Sequence, residues 1–440
     1  MTADAQPHAV AVIGAGWAGL AAAVKLAAHG MPVTVFESAP HAGGRARSVW
    51  RHKLELDNGQ HVMLGAYRET QALLDLVNPG WRAQVVRLPL RLLMKPGFSL
   101  KAPRLPAPWH LAAALITARG LAWADRLAAL RFFTTLSRQS FRLERDRPVI
   151  ELLRQHRQTR ALCAYLWHPL CFAALNTPPA VASAQVFANV LRETFAHRRA
   201  DSDLLLPRVC LSHLFPKPAA AFLRRHGGAL ACRQKVTRLK PMAAGWQVMT
   251  ANGAAVFRHV ICALPPVAAA RLLETLPGLE ETAARLGRLE YEPIYTLYLR
   301  YREQVRLDAP MVGLLHGPGQ WVFDRGQLTG PANLLAVVIS AHGPHETLDH
   351  THLGQAVTRQ LCDELGICAP PQDVWVIAEK RATFACTPNL LRPEARTPLA
   401  GLFLAGDWVG TGRREADYPA TIEGAVRSGV QCARHILESP

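Results

Sequence analysis

The chain has 440 residues, 50% hydrophobic and 19% charged, with a formal charge of +17. That length is too great for one small core and implies two or more domains, and the composition is globular, at the apolar end. The nine cysteines are scattered, with no C-x-x-C pair and no His/Cys cluster at zinc spacing; this argues against a structural metal or a disulfide framework, fits a reducing compartment, and makes small core residues of the cysteines.

Residues 9–24 form an uncharged, mostly apolar run. No Lys or Arg precedes it and three glycines interrupt it, so it is not expected to be an export signal. No other stretch approaches the roughly 20 apolar residues of a bilayer span, and the chain is expected to be cytoplasmic. Instead, residues 9–37 read as strand, tight turn, helix and strand. Val10, Val12 and Ile13 build the first strand, Gly30 ends the helix, and residues 33–36 form the second strand. Gly14, Gly16 and Gly19 make a G-x-G-x-x-G in that turn. They allow a tight bend and close approach of backbone to a pyrophosphate, which the helix start faces with about half a positive charge. Glu37 ends the second strand where an acid accepts hydrogen bonds from a ribose.

Gly43, Gly44 and Arg45 follow in "HAGGRARS", giving close backbone approach and a cation for phosphate, with Arg47 as a second candidate. This pair of motifs resembles the double fingerprint of flavin-binding oxidases of the amine oxidase and carotenoid desaturase kind, which implies FAD rather than NAD.

Farther along, residues 82–147 concentrate positive charge, with Trp, Leu and Phe interleaved with Arg at roughly helical spacing. No helix-turn-helix, zinc finger or RNA-binding signature accompanies the charge, so nucleic acid is not the expected partner. Basic amphipathic helices with aromatic residues suit an anionic membrane surface, and a peripheral attachment is expected; solvated arginines around packed helices are the alternative. Residues 227–240 read as a turn and a strand, and "HVICALPP" as a buried strand ending in a double proline. In "GLFLAGDWVGTG" a buried strand delivers Gly406 and Asp407, and "PATIEGAVRSG" opens a helix.

The resemblance implies an α/β fold: a Rossmann-like FAD-binding domain of the glutathione reductase, amine oxidase-like type, with an inserted α+β substrate domain. The FAD-binding domain would comprise 1–81, 226–266 and 396–440. A helical substrate and membrane-facing part would span 82–225, and a sheet with helices 267–395. The cofactor set would be Gly14, Gly16, Trp17, Ala18 and Gly19; Glu37, Gly43, Gly44 and Arg45; Gly59, Gln60 and His61; Val236 near the adenine; Gly406 and Asp407 at the ribityl chain; and Ala420, Thr421 and Ile422 at the pyrimidine edge. In "LDNGQHVMLGAY", Asp57, Asn58 and Gly59 are expected to turn the chain so that Gln60 and His61 pass the isoalloxazine, with residues 62–64 starting an apolar lining. No second G-x-G-x-x-G occurs, so an external reductant or acceptor is needed.

"DNGQHVMLGAYRET", "LWHPLCFAALNTPP", "DSDLLLPR" and "PATIEGAVRSG" together resemble the hydroxysqualene dehydroxylases of bacterial squalene and hopanoid synthesis. One departure is the charged loop at 413–417 in "TGRREADYPAT", longer than the family pattern, which bears on where Tyr418 stands. The resemblance implies a long apolar isoprenoid substrate and a hydride passed to an allylic carbon as its hydroxyl leaves. The residues considered for protonating that hydroxyl are His61, able to donate near neutral pH, and Glu423, Tyr67 and Tyr418. An oxidative desaturase or amine oxidase on the same fold is the alternative. A flavin-free lipid carrier like the GDP dissociation inhibitors of prenylated GTPases is a third, disfavoured by the intact glycine motifs.

Overall fold

The computed structural model describes residues 9–438. A five-stranded parallel sheet is assembled from distant parts of the chain. Its order is Ala229–Cys232, Val33–Glu37, Val10–Ile13, His259–Cys262 and Leu402–Leu404. Strands buried on both faces need uninterrupted apolar runs, and "VAVI", "LFL" and the "VIC" that follows His259 supply them. The first helix, Trp17–Ala28, lies on this sheet with the C-terminal helix, Ile422–Leu437, packed against it. A Cβ on Gly429 would lie 2.1 Å from the Ala18 carbonyl oxygen, so only glycine lets the two helices approach this closely. A separate three-stranded antiparallel sheet, Val236–Met242, Gly245–Thr250 and Gly253–Phe257, flanks the parallel one.

The second large sheet has seven strands, in the order Asp373–Phe384, Tyr291–Arg300, Leu334–Ser340, Trp321–Asp324, Met311–Leu314, Arg91–Lys95 and Phe98–Lys101. Alternation sorts its faces. Leu297, Leu299, Val322, Leu335 and Val337 join a cluster under the helix His350–Leu365. Tyr298, Trp321, Phe323, Ala336 and Val338 face the main core, which is continuous with the parallel sheet.

Two expectations need correction. The segment 82–225 is not simply helical: it also holds the strands Val85–Leu88, Arg91–Lys95, Phe98–Lys101 and Leu204–Pro207. The hairpin at 91–101 turns at Pro96 and Gly97 and extends the seven-stranded sheet, a turn signal that the surrounding Arg-and-Leu pattern masks. The basic stretch forms two helices, Trp109–Thr117 and Trp123–Arg138, and between them Gly120 packs so close to the hairpin that a Cβ there would lie 2.1 Å from the Gly97 carbonyl oxygen. Nor are all the cysteines isolated. Cys362 and Cys368 form a disulfide across the Gly366 turn that ends the helix His350–Leu365. Cys171, Cys262, Cys386 and Cys432 are buried thiols.

Candidate active site

The two glycine loops are packed back to back. Gly14 takes φ +107°, its N–H donates to the Phe36 carbonyl at 2.8 Å, and a Cβ there would lie 2.6 Å from the Ala263 carbonyl oxygen. A Cβ on Gly19 would lie 2.0 Å from the Gly14 carbonyl oxygen, which fixes the helix close to the turn. The Gly43 N–H donates to the Ala15 carbonyl at 2.8 Å, and a Cβ on Gly44 would lie 3.0 Å from the Gly16 Cα. Gly16 caps the first helix with no side chain over it, leaving the first-turn amides, Trp17 and Ala18 among them, for an anion. The Trp17 side chain points away: its indole donates to the Ala46 carbonyl at 2.9 Å and packs on Phe215. Glu37 accepts from the amides of Ala15 and Ala39, both at 2.8 Å, and the Gln234 N–H donates to its carbonyl. Val236 opens the strand just beyond.

Arg45 and Asp407 meet at 2.7 Å, and the second Arg45 nitrogen donates to the Ala382 carbonyl. The Arg45 cation thus lies against the Gly-Asp motif rather than standing free for phosphate. The Gly406 N–H donates to Ser428 Oγ at 2.8 Å, tying this motif to the C-terminal helix. Thr421 caps that helix by accepting from Gly424, with Ala420 and Ile422 on either side. The glycine cradle, the uncapped helix start, the Glu37 carboxylate and the Arg45–Asp407 pair fit a dinucleotide laid across the parallel sheet.

Arg45, His61 and Tyr67 are each only half-buried by accessible surface, yet lie deep in the protein. Their residual surface at that depth is what an internal ligand space would leave. His61 Nδ1 sits 2.8 Å from the Gly59 carbonyl, so that nitrogen carries the hydrogen and Nε2 is left as the open position. Burial, aided by the nearby Arg45 cation, holds the imidazole below its ordinary 6.5. At neutral pH His61 is therefore mostly uncharged, and Nε2 carries a proton to give increasingly as the pH falls.

Glu423 and Tyr418 are already engaged. Glu423 is fully buried, accepts from the amides of Glu69 and Thr70 and from the Thr70 hydroxyl, and pairs with Arg427 at 2.8 Å. It caps the helix Arg68–Val77 and is not placed as a proton donor. The Tyr418 hydroxyl donates to Glu193 at 2.9 Å, and its ring lies under the Arg427 guanidinium. Burial pushes Tyr67, beside Glu423 and Thr421, well above the usual phenol range, so it remains protonated.

Sequence reasoning missed the wall opposite the 57–61 loop. Arg325 is 1% exposed, donates to Gln60 Oε1 at 2.6 Å and lies 4.0 Å from Asp57. Burial lifts Asp57 to about 6, against the lowering effect of Arg325 and of the Leu211 amide, which donates to its carboxylate. The Tyr298 hydroxyl donates to the Asp57 carbonyl at 3.0 Å, and Asn58 donates to the Arg45 carbonyl at 3.2 Å. The loop is thus held between the Gly-Gly-Arg motif and the seven-stranded sheet. The available signal was an arginine directly after the buried strand "WVFD".

The profile of the family described as flavin containing amine oxidoreductase matches residues 17–437 of this chain. A hydroxysqualene dehydroxylase of Sinorhizobium fredii is 30% identical over 442 residues, covering 97% of this chain and 98% of that protein. One of Rhodopseudomonas palustris is also 30% identical, over 97% and 98%. Among solved structures, a putative protoporphyrinogen oxidase from Exiguobacterium superposes with a TM-score of 0.70 at 16% identity, over 99% of this chain and 100% of that one, a likeness of fold.

Proposed function

We propose, on the premise that this chain belongs to the flavin-containing amine oxidoreductase family and is an FAD-dependent oxidoreductase, that it reduces hydroxysqualene to squalene. The observation that carries this reading is the likeness to dehydroxylases along nearly the whole chain, through the substrate-side sheet and helices as well as the cofactor motifs. In the reaction an allylic C–O bond breaks, a C–H bond forms at the same carbon, and the hydroxyl leaves with a proton as water. Bound reduced FAD supplies the hydride and so both electrons.

The chain's own residues bind, orient and dry the site. The two glycine loops, Glu37 and the Arg45–Asp407 pair hold the cofactor along the parallel sheet, and Thr421 presents the start of the C-terminal helix to it. The 57–61 loop, clamped by Arg325 and Tyr298, sets His61 beside the space left for ligands. His61 Nε2 is the position from which a proton reaches the leaving hydroxyl, with Nδ1–H kept on the Gly59 carbonyl. The apolar inner face of the seven-stranded sheet excludes water from the cation that forms as the C–O bond breaks.

A C30 polyene is carried in membranes, and one face of the molecule suits an anionic bilayer. Among the described residues eleven large hydrophobic side chains are exposed; five of these, Leu105, Trp109, Ile116, Trp123 and Leu127, fall on two adjoining helices and their approach. Arg104, Arg119 and Arg131 are exposed among them, and Arg126 stacks on Trp123. No helix of the described residues is long and apolar enough to cross a membrane. The contact would be peripheral.

Anaerobic mixing of the reduced flavoprotein with hydroxysqualene tests the reaction. The expected result is reoxidation of the flavin with one squalene formed per flavin. A flavin that stays reduced, in a preparation that desaturates a carotene precursor, favours the oxidative alternative.

A further inference from the structure

The central strands of the seven-stranded sheet turn a largely apolar inner face to the core, and one row on it carries polar atoms without protein partners. Thr296 pairs with Val338, and Val338 pairs with Trp321 on the next strand, so the three side chains stand side by side. Thr296 is 1% exposed and Trp321 6%. Neither Thr296 Oγ1 nor Trp321 Nε1 has a hydrogen-bond partner in the protein, and both are sealed from bulk water. A buried hydroxyl and a buried indole N–H left without acceptors are unfavourable, so a ligand is the natural partner. In the next row, Tyr298, Ala336 and Phe323, the one polar atom is satisfied by the Asp57 carbonyl.

This row faces the loop that carries His61. A Cβ at Gly59 would stand 3.8 Å from Thr296 Oγ1 and 3.7 Å from the His61 ring, so the hydroxyl and the imidazole flank one point. We propose that Thr296 and Trp321 form the subsite that recognises the single hydroxyl of an otherwise hydrocarbon substrate. This inference rests on the reaction proposed above. Two strand spacings, about 9.5 Å, separate the backbones of Thr296 and Trp321, with the small apolar Val338 between them. A hydroxyl lying over Val338 accepts from the indole on one side and the threonine on the other, while its carbon stays on apolar surface. The row holds the leaving oxygen beside His61, and the same row disfavours a polyene that brings no hydroxyl, because both polar atoms would stay unpaired.

Thr296→Val and Trp321→Phe, each of nearly unchanged shape, test this in the FAD-loaded protein, with Thr296→Ser as the restoring variant. Each deleting variant should lose about tenfold in kcat/KM for hydroxysqualene, while Thr296→Ser keeps most of it. Squalene, bound as a competing product, should bind the variants at least as tightly as it binds the wild type. Unfolding should show Thr296→Val no less stable than the wild type, since the hydroxyl it removes has no protein partner. Wild-type turnover with unchanged activity in both variants, or an equal loss of affinity for hydroxysqualene and squalene, overturns the subsite alone. A wild type that forms no squalene overturns the reaction, and the subsite with it.

Discussion

Arg325→Met removes the guanidinium that faces the buried Asp57, and the size of the effect can be worked from the geometry. At 4.0 Å the Arg325–Asp57 attraction is worth about 4 kcal/mol for an effective dielectric near 20. With Arg325 present, burial still lifts Asp57 from 3.8 to about 6. A raised folded-state pKa means the contribution of Asp57 to stability is fully present below pH 3.8 and is lost as pH rises through about 6. In the wild type that loss amounts to about 3 kcal/mol and then levels off. Without the cation Asp57 stays protonated beyond neutrality, so the loss continues at about 1.4 kcal/mol per pH unit. The electrostatic cost of Arg325→Met is therefore near zero at pH 5, about 1.4 kcal/mol at pH 7 and about 3 kcal/mol at pH 8, with the 4 kcal/mol Coulomb figure as its ceiling. A pH-independent loss of about 1–3 kcal/mol adds to it, because Gln60 loses its partner. Urea unfolding followed by tryptophan fluorescence at pH 5, 7 and 8 measures the difference. A difference that stays constant from pH 5 to 8 refutes the electrostatic reasoning, as does the same pH slope in Asp57→Asn/Arg325→Met.

Glu423→Gln should lower stability by about 1–3 kcal/mol through the weakened helix cap and the lost Arg427 pair, while turnover per bound flavin stays within about twofold; a pH-rate limb that vanishes in this variant would restore Glu423 as an acid. His61 is held below 6.5 by burial, so the rate should rise as pH falls below neutrality, and His61→Gln should flatten that rise without emptying the flavin site; equal profiles for the two proteins would remove His61 from proton delivery. Trp109→Ser with Trp123→Ser should weaken sedimentation with phosphatidylglycerol-containing vesicles by about tenfold or more, with little binding to neutral vesicles in either protein; undiminished binding places the membrane contact elsewhere.

Much of the cofactor half was legible because its constraints are local. Gly14, Gly16 and Gly19 follow a strand and open a helix within one short window, and the structure puts a positive φ and a filled Cβ position at Gly14. Glu37 could be assigned because it ends the next strand at a fixed distance along the chain. The substrate half depends on pairings between distant segments. Arg325 meets Gln60 across 265 positions, and the Thr296–Val338–Trp321 row exists only once three strands are in register. The amides that Glu423 caps were out of reach for the same reason: Glu69 and Thr70 lie more than 350 residues earlier in the chain. The hairpin at 91–101 was hidden by a composition equally suited to a helix.

The most direct measurement is the mass of the product made anaerobically from hydroxysqualene in deuterium oxide by the reduced flavoprotein. A hydride from reduced flavin carries a hydrogen that exchanges with solvent, so squalene should gain one deuterium at the carbon that lost its hydroxyl. Squalene without deuterium, or a product bearing an additional double bond, would contradict reductive dehydroxylation.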